Sequence, residues 1–181
     1  MSSSSKCKFG FNDLALNTMK NALHGRPFSA TWGKLIFDEI KVKKDLAFDK
    51  GTLEHHGIVN FGKAVRAKIE KDLGDHVPVF MFRPYKAKWV QPFACFASKG
   101  ATSGSILFEL ILKAIVILHN HGAVVKGVVS DEAQSNKSAN AMFGIDERRE
   151  NSRECNKFGI IHSMHSKNKN LLFVDAPHLL K

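Results

Sequence analysis

The stretch GKLIFDEIKV at residues 33–42 changes the period of the chain. Leu35, Ile36 and Phe37 run unbroken into Asp38 and Glu39, and Ile40 and Val42 then stand among lysines. An apolar run of this kind ending in charge predicts a β-strand, buried at its start. A second stretch, AVVKGVVSD at residues 123–131, is apolar and β-branched, the composition of a central strand covered on both faces. It also ends on a carboxylate, Asp131.

The segments around these two strands complete the architecture. Upstream, Phe11, Leu14, Ala15, Met19, Ala22 and Leu23 have roughly helical spacing, and Gly25 and Pro27 close that helix. Residues 49–51 read as a turn, 56–61 as a short second strand, and 63–73 as a basic stretch compatible with a helix. Residues 77–82 and 88–96 are β-rich, either one long broken third strand or a pair. Pro84 and Pro92 are tolerable there only at an edge, a bulge or an interruption. Ser103 or Ser105 can cap a buried helix with Glu109 in its first turn, a stripe of Leu107, Leu110, Ile111, Ala114 and Leu118, and Gly122 as its stop. Residues 138–143 predict a short helix, 146–157 a charged connector, and 170–174 a last strand running into Asp175. The expected fold is α/β: a mixed sheet in which an antiparallel three-strand meander is joined by a helical crossover to parallel strands, flanked by helices. Residues 1–33 are expected to be a disordered start with a short lead-in helix, and 34–181 the sheet domain.

Composition narrows the function. A chain of 181 residues suits one domain, and 44% hydrophobic with 24% charged residues can bury a core. Lys and Arg total 27 against 17 Asp and Glu, a formal charge of +10 that favours polyanionic partners such as nucleic acid. Cys7, Cys95 and Cys155 are an odd, scattered set without CxxC, which argues against a disulfide framework or a zinc ribbon. The serine-rich start lacks the apolar core of a signal peptide. The most apolar window, 106–118, contains Glu109 and Lys113 and falls short of the ~20 residues a membrane span needs. No membrane association is expected. No P-loop, GxSxG or HExxH occurs. His119 and His121 are two apart at a helix end and suit its C-terminal dipole better than a metal. Cys155, His162 and His165 lack a nearby fourth ligand, and His55-His56 is equally weak.

Asp38 and Asp131 are the candidates for chemistry. If their strands are neighbours the carboxylates nearly meet, and like charges ~4 Å apart repel by ~4 kcal/mol at an effective dielectric of ~20. A Mg²⁺ or Mn²⁺ ion would resolve that conflict and create a phosphodiester site. The alternative is that each aspartate caps a turn or helix, as Asp131 could before the helix that follows it. Basic residues cluster at Lys41, Lys43 and Lys44, at Lys63, Arg66, Lys68 and Lys71, and at Arg148, Arg149, Arg153 and Lys157, either as solvated faces or as a phosphate track. Lys86 and Lys88 lie beside Trp89, a mixture suited to stacking or to plain packing.

Five motifs in order give the chain a family likeness: LIFDEI at 35–40, GIVNFG at 57–62, KWVQP at 88–92, VVSD at 128–131 with Gln134 and Asn136, and DAPHLLK at 175–181. Together they resemble P-element-type transposases, including the THAP-domain transposases. The resemblance implies an RNase H-like catalytic core for cut-and-paste DNA transposition, using three acids and two Mg²⁺ or Mn²⁺ ions. Asp38 matches the first catalytic aspartate and Asp131 the second. Asp175 matches a motif of the last strand and is a weaker candidate ligand. Lys41, Lys43, Lys86 and Lys88 are candidate DNA contacts. The family's third acid, a glutamate, and its guanine-nucleotide-binding insertion have no counterpart before Lys181, and neither does the THAP zinc finger. The chain is therefore expected to be an incomplete domain, inactive alone and without GTP. DNA, full-length transposase or a second copy of itself are its implied partners, and the nucleus its implied location. Two alternatives remain open: a non-catalytic, repressor-like DNA-binding or transposase-interacting protein, and a divalent-metal nuclease of the same fold.

Overall fold

The computed structural model describes residues 9–49, 54–62, 64, 72–131, 133–143 and 172–175. Its elements are β1 (Gly10–Phe11), α1 (Asp13–Leu23), a 3₁₀ turn (Phe28–Ala30), β2 (Trp32–Lys41), β3 (Ala47–Asp49), β4 (Glu54–His56), β5 (His76–Pro84), β6 (Gln91–Cys95), α2 (Gly104–Asn120), β7 (Val124–Ser130), α3 (Gln134–Met142) and β8 (Leu172–Asp175). One six-stranded sheet has the order β1-β6-β5-β2-β7-β8, and β3 pairs with β4 in a separate hairpin. β2 runs antiparallel to β5 and β5 to β6, whereas β7 lies parallel to β2 and β8 parallel to β7. This is the expected mixed sheet, with α2 as the crossover from β6 to β7.

The meander differs from the expectation in its second member. Residues 76–84 fill that place, and 56–61 contribute only the end of β4 and two isolated bridges, Ile58 to Leu73 and Asn60 to Ala97. The cause is apolar surface. In β5, Pro78, Phe80 and Phe82 are buried at alternate positions, and Phe82 and Phe80 stand opposite Leu35 and Phe37 of β2. The 56–61 stretch is too short to offer such a face. It also carries Gly57 at φ 101°, where a Cβ would strike the Asp45 carbonyl oxygen.

The β-rich stretches 77–82 and 88–96 are therefore a pair. Pro84 closes β5, and Pro92 stands opposite Met81, where the β5–β6 register shifts. Residues 10–11 add an edge strand, and the Asn12 N–H donates to the Phe93 carbonyl over 2.8 Å. That contact fixes the phase of α1, whose buried face is Leu16, Met19 and Leu23; Leu14 is 70% exposed, contrary to the stripe read from spacing. Because this face enters the common core, the lead-in helix packs as part of the sheet domain.

α2 starts behind Ser103 as its N-cap, so Glu109 falls in the second turn rather than the first. Its apolar stripe, Leu107, Leu110, Ile111, Ala114 and Leu118, is buried as expected. Gly122 follows at φ 82°, and His121 closes the helix with Nδ1 2.7 Å from the Ile117 carbonyl. The core is aromatic. Phe37 stacks on Phe80 at 5.4 Å between centroids, and Phe80 meets Phe96 edge-on at 5.8 Å. α3 begins earlier than expected, at Gln134. Residues 63, 65–71 and 144–171, with Cys7, Cys155, His162, His165 and the two basic clusters read there, lie outside the described residues.

Candidate functional site

Strand register brings the two aspartates together. Leu35 and Ile36 of β2 stand opposite Val128 and Val129 of β7, so two residues further along these parallel strands Asp38 comes level with Asp131. Both line one pocket of about 220 Å³ at the end of the sheet, together with Glu39, Lys41, His76 and Asn136. Two acids separated by about half the chain thus share a single concavity.

Each carboxylate has one oxygen engaged. Asp38 is exposed, and its Oδ1 accepts the Glu39 N–H over 2.8 Å. Asp131 is half-buried, and its Oδ1 accepts from the Ala133 N–H at 3.1 Å and from Asn136 Nδ2. Asn136 itself is buried, and its Nδ2 also reaches the Asp131 carbonyl at 3.2 Å. The turn-capping reading of Asp131 therefore holds for one oxygen. Each Oδ2 is without a hydrogen-bond partner among the described residues. Two hard, singly available oxygens suit Mg²⁺ or Mn²⁺, which bind through one or two carboxylates and complete their shell with water. No group of three or more His, Cys, Asp or Glu residues is placed to hold a metal among the described residues. Asp175, at the end of β8, is level with Ser130 and so one residue out of step with Asp131.

The positive candidates divide between the ends of the sheet. Lys41 lines the pocket and Lys43 follows it, both exposed. Lys86 and Lys88 lie in the β5–β6 connection, at the end of β5 that pairs with the start of β2. Gly33, which pairs with Pro84, is five residues from Asp38, or about 16 Å along an extended strand. Lys86 is thus remote from the acid pair, and its Nζ donates to Ser29 Oγ at 2.8 Å.

Two acids besides Asp38 and Asp131 carry weight that sequence reasoning did not assign. Glu39 Oε1 accepts from the Thr102 N–H at 3.0 Å, from Thr102 Oγ1 at 2.7 Å and from Ser98 Oγ at 3.4 Å, tying the end of β2 to the loop before α2. Asp75 lies 2.8 Å from His76 Nδ1, accepts the Gly100 N–H at 2.6 Å and pairs with Lys44 at 3.3 Å. The His76 contact, then the Gly100 N–H, then Lys44 hold its carboxyl far below the usual carboxylate range. Glu39 adjoins Asp38 in the sequence, but nothing local announces that it faces inward.

A mixed sheet with an antiparallel meander, a helical crossover and a parallel continuation defines an RNase H-like domain. The family model described as TNP-like, RNase H N-terminal domain matches residues 7–144, and the chain belongs to that family. Its fold is shared with a solved structure titled Drosophila P element transposase strand transfer complex, at a TM-score of 0.66 and 20% sequence identity. That match covers 96% of this chain and 32% of the other, so the chain spans about a third of that transposase's length. No curated protein matched the chain in a sequence comparison.

Proposed function

We propose that the chain supplies Asp38 and Asp131 as two of the three acidic ligands of a divalent-metal site for cut-and-paste DNA transposition, and that these two alone do not support strand cleavage. The observation that carries the reading is the register of β2 and β7, with both carboxylates lining one pocket and one oxygen of each free of hydrogen bonds among the described residues. The engaged oxygens serve positioning: the Glu39 N–H holds Asp38, and Asn136 with the Ala133 N–H holds Asp131. Mg²⁺ or Mn²⁺ bound there would activate the attacking oxygen and neutralise charge at the leaving oxygen of a phosphodiester. The DNA partner is supported by the excess of positive charge and by the transposase complex that shares the fold. A nuclear location follows from such a substrate.

The test is calorimetric titration of the chain with Mn²⁺. The expected result is weak binding that Asp38→Asn and Asp131→Asn each abolish, with folding preserved by circular dichroism. Binding that survives both substitutions refutes the assignment.

A further inference from the structure

The face of the sheet that carries Asp38 has a second charged region at its other end. In the antiparallel pairing of β2 with β5, Lys34 stands directly opposite Arg83, which places two cations side by side on the row level with Gly127 of β7. Like charges in that position are destabilising in themselves. No carboxylate pairs with either among the described residues. Lys126 joins them. It is the extra residue where the β2–β7 register shifts, and its Nζ lies 4.8 Å from the centre of the Trp32 ring. Burial disfavours the charged form of Lys126 and lowers its pKa, and no carboxylate pairs with it among the described residues. Aromatic surface surrounds the group: Phe28 packs edge-on against Trp32 at 5.9 Å, and both Phe28 and Tyr85 are 54% exposed.

Alternation along the strands fixes what lies between the two ends. Lys34, Ile36 and Asp38 point to one face, so the face reads as a cationic row (Arg83, Lys34), an apolar row (Met81, Ile36, Val129) and an acidic row (Asp38, Asp131). Lys34 and Asp38 are four residues apart, about 13 Å on an extended strand. Unpaired cations beside exposed aromatic rings are the combination that holds a phosphate backbone while leaving bases free to stack.

We propose that Lys34, Arg83 and Lys126, with the rings of Phe28 and Tyr85, form a second DNA-contact surface that grips the backbone of the strand whose phosphodiester lies at Asp38 and Asp131. This inference rests on the DNA reading above and adds to it a group of residues distinct from Lys41 and Lys43.

The test is fluorescence anisotropy of a labelled DNA duplex with the full chain across a salt series, in the presence of EDTA so that metal plays no part. The triple variant Lys34→Gln, Arg83→Gln, Lys126→Gln is expected to bind about tenfold more weakly and to flatten the dependence of log Kd on log salt by about two to three, near one for each phosphate that is no longer neutralised. Lys34→Arg with Lys126→Arg is expected to keep the parent slope, which separates the effect of charge from that of misfolding. A parent chain that binds DNA with a slope unchanged in the triple variant overturns this surface and leaves the DNA reading standing. A parent chain that does not bind DNA overturns both. Tighter binding of poly-glutamate than of DNA at this patch would assign the surface to an acidic protein partner and overturn the proposal.

Discussion

At the scale of the residue, the site depends on how single oxygens are committed. Asn136 is buried, and its Nδ2 donates to both the side-chain Oδ1 and the backbone carbonyl oxygen of Asp131. Asn136→Ala is expected to free the Asp131 carboxylate to rotate, weakening Mn²⁺ affinity about 10-fold or more while leaving the circular dichroism spectrum intact. Calorimetry reads that difference directly. Asp75 governs a different property. Its carboxyl is held below its ordinary value of 3.8 by His76, the Gly100 N–H and Lys44. A group whose folded pKa is depressed stabilises the fold above its unfolded pKa and loses that contribution as pH falls. Stability of the parent chain should therefore decline as pH drops below about 4, and Asp75→Asn should flatten that part of the profile while lowering stability at pH 7. Urea midpoints measured across pH would show both effects.

At the scale of the element, two joints set the pocket walls. Glu39 joins β2 to the loop ahead of α2, and its main partner, Thr102, is only 2% exposed. Glu39→Ala leaves a buried hydroxyl and a buried N–H without an acceptor, a loss of about 1–3 kcal/mol in denaturant unfolding. Glu39→Gln keeps an acceptor oxygen and should lose less. The second joint is Gly104, where the first turn of α2 meets α3. A Cβ there would lie 2.5 Å from the Ser138 Cβ and 3.0 Å from the Ala139 N. Gly104→Ala is therefore expected to push the helices apart at a cost of about 1–3 kcal/mol, despite the better helix propensity of alanine. Because α3 carries Asn136, the same substitution should also weaken Mn²⁺ binding.

For the whole molecule, the aromatic core welds the meander to the helices that flank it. Phe80 is fully buried between Phe37 of the neighbouring strand and Phe96. Phe80→Ala is expected to destabilise the fold by about 3–5 kcal/mol, a large share of what a domain of this size possesses, and thermal unfolding would register it. The α1 face of Leu16, Met19 and Leu23 shares that core, so the N-terminal helix should unfold with the sheet in one transition. On the outer face, charge is sorted along the strands, with acids at the carboxyl end of β2 and cations near its start. That polarity is a property of the assembled sheet.

Periodicity in the chain was enough to locate the long strand of Asp38, the apolar strand that ends at Asp131 and the buried helix between them, because each has a composition that only one element type can bury. The mixed sheet was legible for the same reason, and so was the presence of an acid on or just after each of the two strands. The choice of 76–84 over 56–61 as the partner of β2 was not, since two short apolar runs compete and only cross-strand packing against Leu35 and Phe37 selects between them. Leu14 looked like core and is solvent-facing because the pairing of Phe11 with β6, a contact across the chain, sets the rotation of α1. The inward turn of Glu39, the grip of Asn136 on Asp131 and the row shared by Lys34 and Arg83 arise between segments remote in sequence. Local propensity can place such residues on a strand or helix, but which partner each one meets is decided by register, and register is a property of the folded sheet.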